Sequence, residues 1–175
     1  MITPSFNWNS IPRYTLNINE LADPYDICRF MSKRKIDKYL YRIKYKGIVL
    51  KFGMSSDNSK NYGERLYRQI GHDQTWPKPL NGPSGADWLI IERDFSKKYG
   101  IQVTKDHLEV EVWDLTNYEF KSLTPRDEIL RLESELISMY VSIVGEKPIG
   151  NIYDDESVFR RGMISVSLFE RYFEL

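Results

Sequence analysis

Two segments of the chain, 38–45 and 107–115, alternate apolar and polar residues with the period of a β-strand. A Lys-Gly pair follows the first of them and precedes the mainly apolar segment 48–52, which we expect to be a returning strand. Successive side chains on a strand point to opposite faces, so this alternation predicts strands with one buried face. The short Lys-Gly turn predicts that the first two strands form an antiparallel hairpin.

Apolar residues at three- and four-residue steps predict helices between and after these strands. The expected helices cover 24–34, 62–70, 86–98, a long stretch from Thr124 to about Val144, and a short final segment that begins at Ser167. Asp23 and Thr124 are both followed by proline, and this pair is typical of an N-cap and first helical position.

The order of elements predicts an α+β fold, in which helices flank a small antiparallel three-stranded sheet. At 175 residues the chain is long enough for one domain with a sizeable core. We expect a single domain over 1–175, with its core at about 38–151. Residues 1–37 would form an N-terminal arm and helix, and residues 152–175 a C-terminal extension.

The composition excludes several kinds of site. Cys28 is the single cysteine and there are two histidines, His72 and His107, so the usual zinc ligand sets and an internal disulfide are not expected. No glycine-rich phosphate loop occurs, so we expect no nucleotide cofactor. No apolar run approaches the roughly 18 residues that span a bilayer, and the first residues lack a secretory signal pattern. These features predict a cytoplasmic protein that does not interact with membranes.

The net charge is zero, but the charges are unevenly distributed. Residues 33–68 contain eleven basic and three acidic side chains, which is 11 − 3 = +8, whereas residues 106–175 contain seven and fifteen, which is 7 − 15 = −8. A basic half favours binding to phosphates, and an acidic half provides metal ligands or solubility. Charge alone leaves open the alternative of two solvated surfaces.

The long predicted helix carries one acidic residue on its apolar face. Glu133 lies four residues before Ile137 and seven before Tyr140, which belong to the apolar stripe, whereas Glu135 lies about 200° further round the helix. An inward carboxylate costs free energy unless it is paired or binds a metal. The alternatives are therefore a structural ion pair and a metal ligand.

The hairpin and the helix that follows it carry the remaining candidates. Tyr41 and Lys51 lie on its two strands, and Lys51 either extends to solvent or is held for chemistry. Arg65, Arg68 and His72 share a face of the helix that follows, at three- and four-residue steps. That face is either ordinary polar surface or a phosphate-binding face, since the arginine guanidinium suits phosphate oxygens.

Four motifs in order resemble those of the GIY-YIG nuclease superfamily. They are Tyr39-Leu-Tyr41, Lys51-Phe-Gly53, the segment 63–72 with its arginines, and the segment from Glu133 to Asn151. The spacing is most similar to compact restriction endonucleases of the superfamily that also have lysine in the second motif. The chain departs from the family pattern at Tyr39, where a glycine is usual, at Met54, where a histidine is frequent, and at Gln69.

The resemblance implies a Mg²⁺-dependent DNA endonuclease, with Mn²⁺ as an alternative ion. It implies that Glu133 holds the metal and that Tyr41, Lys51 and Arg65 act at the scissile phosphate. Either Tyr41 or Lys51 is the general base, and Arg65 is preferred to Arg68 as the catalytic arginine. The candidates for DNA binding are Arg68, His72, Tyr67 and Lys44.

Several functions on this scaffold remain open from the sequence. The expected role is site-specific cleavage of restriction, phage or mobile-element type, and a homodimer would place two active sites on the two strands. The alternatives are a nicking endonuclease, a catalytically inactive DNA-binding module and a protein-interaction domain that does not bind nucleic acid. Affinity for DNA that falls steeply with salt would distinguish the last of these from the others.

Overall fold

The computed structural model describes residues 7–23, 25–56, 62–70, 95–101, 103, 105–121 and 124–154, and for residues 68, 69, 105 and 152–154 it describes the backbone alone. The strands are β1 (Arg13–Asn17), β2 (Tyr39–Tyr45), β3 (Ile48–Ser55) and β4 (Leu108–Asp114). The helices are α1 (Tyr25–Arg34), α2 (Glu64–Ile70) and α3 (Pro125–Val144), and residues 95–99 are also helical. The predicted helices at 24–34 and 62–70, the hairpin and the long helix are confirmed. The predicted helix that begins at Ser167 lies outside the described residues, as does most of the one predicted at 86–98.

The four strands form one antiparallel sheet in the order β1-β4-β2-β3. The α+β class is confirmed, but the prediction of three strands is wrong by one. The additional strand is β1, which pairs with β4 from Arg13 opposite Trp113 to Asn17 opposite Glu109. The alternation of β1 covers only five residues, of which Leu16 is buried and Tyr14 is partly buried, so it is a weaker signal than those of the longer strands.

Both faces of the sheet are buried. Its first face carries Tyr39, Tyr41, Ile43 and Tyr45 of β2 and packs against α1, α2 and Phe95. The second face carries Leu40 and Phe52 and packs against α3. The prediction of one buried face is therefore wrong for β2, where all seven residues are buried. The helix α3 covers the side on which the basic residues of this strand lie.

Burial of those basic residues is offset by an acidic partner on β4. Arg42 is fully buried, and its Nε donates a hydrogen bond to Glu111, while Lys44 Nζ lies 3.0 Å from the other carboxylate oxygen of Glu111. Burial by itself would raise the pKa of Glu111, but the two neighbouring cations outweigh it and lower that pKa. A buried charge is tolerated when it is paired in this way.

The helix α3 begins and ends at residues suited to those positions. The Thr124 hydroxyl accepts a hydrogen bond from the Asp127 amide at 3.3 Å, and Pro125 occupies the first turn, where no amide donor is needed. Gly145 ends the helix with a φ of 91°, and its amide donates to the Val141 carbonyl. Among the described residues, no helix is long and apolar enough to cross a membrane.

Candidate functional site

The hairpin places Tyr41 directly beside Gly53. The two residues are paired across β2 and β3, and Tyr41 is only 1% exposed. A Cβ atom added to Gly53 would overlap Cζ and Oη of Tyr41 and lie 2.7 Å from its Cε1. The phenol ring therefore crosses over β3 at the one residue of that strand without a side chain. Since β3 is an edge strand, this contact brings the Tyr41 hydroxyl towards the edge of the sheet.

Lys51 lies on the same face of the sheet as Tyr41. It is paired with Ile43, which is two residues from Tyr41 on β2, and it is 9% exposed. The register shifts between Ile43 and Lys44, because β3 contains an extra residue at this point. Strict alternation would place Val49 on the same face as Lys51. Because of the shift, Val49 lies on the second face instead. The shift leaves Lys51 on the face of the sheet that carries the hairpin tyrosines.

Asn151 is bound to the outer side of β3 between these two positions. Its Oδ1 accepts a hydrogen bond from the Phe52 amide at 2.8 Å, and its Nδ2 donates to the Phe52 carbonyl at 2.9 Å. The side-chain amide of Asn151 thus binds the outward amide and carbonyl of Phe52, as the backbone of a further strand would. Asn151 is 1% exposed and belongs to the turn Ile149–Asp154 after α3. This pair of bonds fixes the end of the long-helix segment to the Lys51-Phe-Gly53 motif.

The helix α2 is attached to the first face through Tyr39. The Tyr39 hydroxyl accepts a hydrogen bond from the Leu66 amide at 3.3 Å and also bonds the Ser55 side chain. Burial raises the pKa of Tyr39, so this phenol stays protonated at neutral pH. Gly63 precedes the helix with a φ of 76°, and a Cβ there would lie 2.9 Å from Met31 on α1. Both contacts determine where the first turn of α2 lies.

Arg65 lies in that first turn. It is exposed, and its positive charge favours a lower pKa of Tyr39, although burial has the larger effect and raises it. Leu66 and Ile70 of the same helix are fully buried against the first face. Among the described residues, Arg65 makes no ion pair. Its guanidinium group is therefore available to a ligand at the start of α2.

The helix α3 packs on the second face of the sheet, opposite the hairpin tyrosines, through contacts such as Phe52 with Tyr140, at 5.9 Å between ring centroids. Glu133 lies on this helix. Its side chain is half-buried, in keeping with a position beside the apolar stripe. Because β3 is the edge strand, the shortest route from α3 to the first face passes round that edge. Tyr41, Lys51 and Arg65 thus share one face, and Glu133 belongs to the helix on the other.

The remaining predicted DNA-binding residues are placed as follows. Lys44 lies on the second face, 7% exposed and paired with Glu111. Tyr67 is 4% exposed and stacks on Tyr25 of α1 at 4.8 Å between ring centroids. The side chain of Arg68 and the whole of His72 lie outside the described residues.

Four residues have structural roles that the sequence patterns did not reveal. Tyr39 and Asn151 fix the helix and the edge strand, and Glu111 neutralises the buried cations. Glu128 is the most buried carboxylate of α3 at 6% exposure, and it accepts a hydrogen bond from the Lys121 amide at 2.8 Å. The sequence offered one signal for the ion pairs of Glu111, which is that this acidic residue stands between Val110 and Val112 in a predicted strand.

Within the described ranges, no group of three or more histidine, cysteine or carboxylate side chains is arranged to hold a metal ion. The predicted Mg²⁺ site has one protein ligand, the carboxylate of Glu133, and so differs from sites built from three or more such side chains.

A scan against models of protein families, a search of curated proteins and a search of solved structures each found no match to this chain.

Proposed function

We propose that the protein is a Mg²⁺-dependent DNA endonuclease of the GIY-YIG type, with its active site at the edge of β3. The observation that supports this proposal is that both strands of the hairpin and the segment after α3 meet at the edge strand β3. The Tyr41 ring crosses Gly53, Lys51 lies on the same face, and Asn151 binds the backbone between them. The four motifs that resemble the superfamily include all of these residues.

Hydrolysis of a phosphodiester requires a water oxygen to attack phosphorus, the bond to the leaving oxygen to break, and that oxygen to gain a proton. Tyr41 or Lys51 orients the water and accepts its proton, since both face the same side of the edge strand. Arg65 stabilises the charge that develops on the phosphoryl oxygens, because its guanidinium group is exposed and permanently charged.

Glu133 would hold the metal ion. A half-buried carboxylate is an oxygen donor of the kind that Mg²⁺ prefers, and Mg²⁺ keeps several of its waters and takes few protein ligands. When bound, the ion neutralises charge on the phosphate.

The test is cleavage of supercoiled plasmid with Mg²⁺ or Mn²⁺ against an EDTA control. We expect Glu133→Gln to lower the rate about 100-fold or more, which is a loss typical of key electrostatic groups. Glu135→Gln is the matched control, because Glu135 lies on the same helix and pairs only weakly with Arg131 at 3.7 Å. Equal rates for Glu133→Gln and the wild type would show that the metal assignment is wrong. Nicked or linear products distinguish a nicking enzyme from one that cuts both strands.

A second candidate is a DNA-binding module without turnover. It is favoured by the position of Glu133, which lies on the helix that covers the face opposite Tyr41. DNA binding that weakens with salt, without cleavage in Mg²⁺ or Mn²⁺, would select it.

A further inference from the structure

A groove of about 680 Å³ lies between α1 and α2. One wall is the stripe of α1 at steps of three and four residues, and the opposite wall comes from Tyr62 and α2. The lining residues are Tyr25, Cys28, Arg29, Ser32, Lys33, Tyr62, Glu64 and Tyr67. None of the catalytic residues proposed above lines this groove. Its α2 wall comes from Glu64 and Tyr67, the helix residues on either side of Arg65 in the sequence.

An aromatic pair supports one end of the groove. Tyr25 is 50% exposed and stacks on Tyr67, which is 4% exposed, with 4.8 Å between ring centroids and 24° between planes. A large aromatic side chain half-exposed at the start of a helix loses favourable burial. Held against a buried neighbour, it forms a rigid surface on which another flat ring can stack.

The charges along α1 indicate what kind of ring this is. Arg29 is bound to Asp23 at 3.1 Å and to Asp26 at 2.5 Å, so its charge is neutralised within the helix. Lys33 is exposed and makes no ion pair with any residue the structure describes. Arg34, the next residue, lies over the Phe30 ring at 3.8 Å and does not line the groove. The α1 wall therefore runs from an exposed tyrosine to the exposed cation of Lys33, which suits a base followed by a phosphate.

The distance between these two ends fits a short stretch of a single strand. Tyr25 and Lys33 are eight residues apart on one helix face, which is about 12 Å along the axis. This span exceeds one nucleotide. Glu64 lies at the level of Cys28, where its charge, after burial of the thiol, adds to the rise of the Cys28 pKa to about 11. Since Glu64 repels phosphate, it leaves the Lys33 end as the place where the backbone binds.

We propose that this groove binds an unpaired stretch of the DNA substrate, with one base stacked on Tyr25 and a following phosphate held by Lys33. The inference rests on the proposed DNA endonuclease function and adds to it a subsite for single-stranded DNA. Stacking tolerates any base, because every base has an aromatic face, and the Lys33 cation contributes a dependence on salt. Base-paired DNA keeps its bases inside the helix and does not stack on Tyr25.

The experiment measures the affinity of the full chain for a short fluorescent oligothymidylate by anisotropy, in EDTA so that no cleavage occurs. We expect Tyr25→Ala to weaken binding at least about fivefold, as loss of one stacked base does, and Tyr25→Phe to bind as the wild type does. Lys33→Glu should weaken binding and reduce its salt dependence. The matched controls are Leu130→Ala, an exposed apolar residue on α3, and Lys46→Glu, an exposed cation at the hairpin turn; both should bind normally.

Wild-type affinity for both Tyr25→Ala and Lys33→Glu overturns the proposal, as does an equal loss for Lys46→Glu, which would indicate attraction by net charge alone. Binding of duplex DNA but not of the oligothymidylate also overturns it. Tyr25-dependent binding of the oligothymidylate by a protein that fails to cut plasmid supports the groove and contradicts the nuclease activity, so the two proposals fail separately.

Discussion

Substitution of Gly53 by alanine tests the close approach of Tyr41 to the edge strand. The added methyl group would overlap the far end of the Tyr41 ring, and that ring is 1% exposed, so surrounding side chains oppose its rotation. Overpacking of a buried site costs about 1–3 kcal/mol. Alanine is otherwise preferred to glycine within a strand by about 0.5–1 kcal/mol. The overpacking outweighs the preference, so we expect Gly53→Ala to destabilise the protein by up to about 2.5 kcal/mol and to displace the Tyr41 hydroxyl.

A double-mutant cycle isolates the cause. Tyr41→Leu removes the ring atoms that an added methyl group would meet, so Gly53→Ala made on that background should stabilise the protein by about 0.5–1 kcal/mol. The difference between the two backgrounds is the overpacking cost itself, a coupling of about 1–3 kcal/mol between the two positions. In the Tyr41→Phe background the ring remains, and the cost of Gly53→Ala should also remain.

Urea denaturation followed by circular dichroism measures all of these variants. If the two substitutions add within about 0.5 kcal/mol, as independent sites do, the ring does not cross Gly53 and the site geometry described above is incorrect. Plasmid cleavage supplies a second measurement. Gly53→Ala should lower the turnover rate more than it lowers DNA affinity, because Tyr41 is displaced while Arg65 is not.

Three further predictions concern stability and reactivity. Glu111→Gln leaves Arg42 buried without its partner and should cost about 3–5 kcal/mol in urea denaturation, whereas Glu109→Gln, whose carboxylate is 40% exposed, should cost less than about 1 kcal/mol. The pKa of Glu111 is lowered in the folded state, so the ionised carboxylate contributes its full stabilisation above about pH 4.3, and this stabilisation is lost as pH falls through the folded pKa. In Glu111→Gln, the free energy of unfolding should therefore fall less steeply between neutral and acidic pH. Asn151→Ala removes two hydrogen bonds from the edge strand and should destabilise the protein by about 1–3 kcal/mol. Hydrogen exchange at the β3 amides should become faster, and unchanged exchange would contradict the two bonds between Asn151 and Phe52. Cys28 should react with iodoacetamide at pH 8 about 100-fold more slowly than a free thiol, because burial raises its pKa to about 11, and a rate equal to that of free cysteine would refute this.

The elements that the sequence predicted well are those with strong local signals. The helix α3 has a threonine cap, a proline at its start and a glycine at its end, and its apolar stripe continues through five turns. The strands β2 and β4 have clear alternation, and β3 follows the Lys-Gly turn as a mainly apolar segment. In contrast, Arg13–Asn17 was interpreted as part of an arm, because its alternation covers only five residues, of which Leu16 is buried and Tyr14 is partly buried.

Prediction of the candidate site was limited by tertiary placement. The alternation of β2 grouped Tyr39 with Tyr41, but it could not show that one phenol binds the α2 backbone while the other crosses Gly53. The period of α3 predicted Glu133 on the apolar stripe, and its side chain is half-buried. Which face of the sheet α3 would cover is not encoded in that period. The basic residue Lys44 was a DNA-binding candidate by charge, and its partner Glu111 lies 67 residues away on another strand.

The amide of Asn151 has a consequence for how copies of this protein can associate. A strand edge with unsatisfied amides and carbonyls can recruit a strand from another molecule, and this is a common route to aggregation. At Phe52 both outward groups are already occupied, so an incoming chain finds no complementary hydrogen bonds at the centre of β3. Among the described strands, the opposite margin of the sheet is β1. Among the described strands, association by sheet extension is therefore favoured at Arg13–Asn17 and not at the hairpin. A dimer formed through that strand would leave both proposed active sites accessible to DNA.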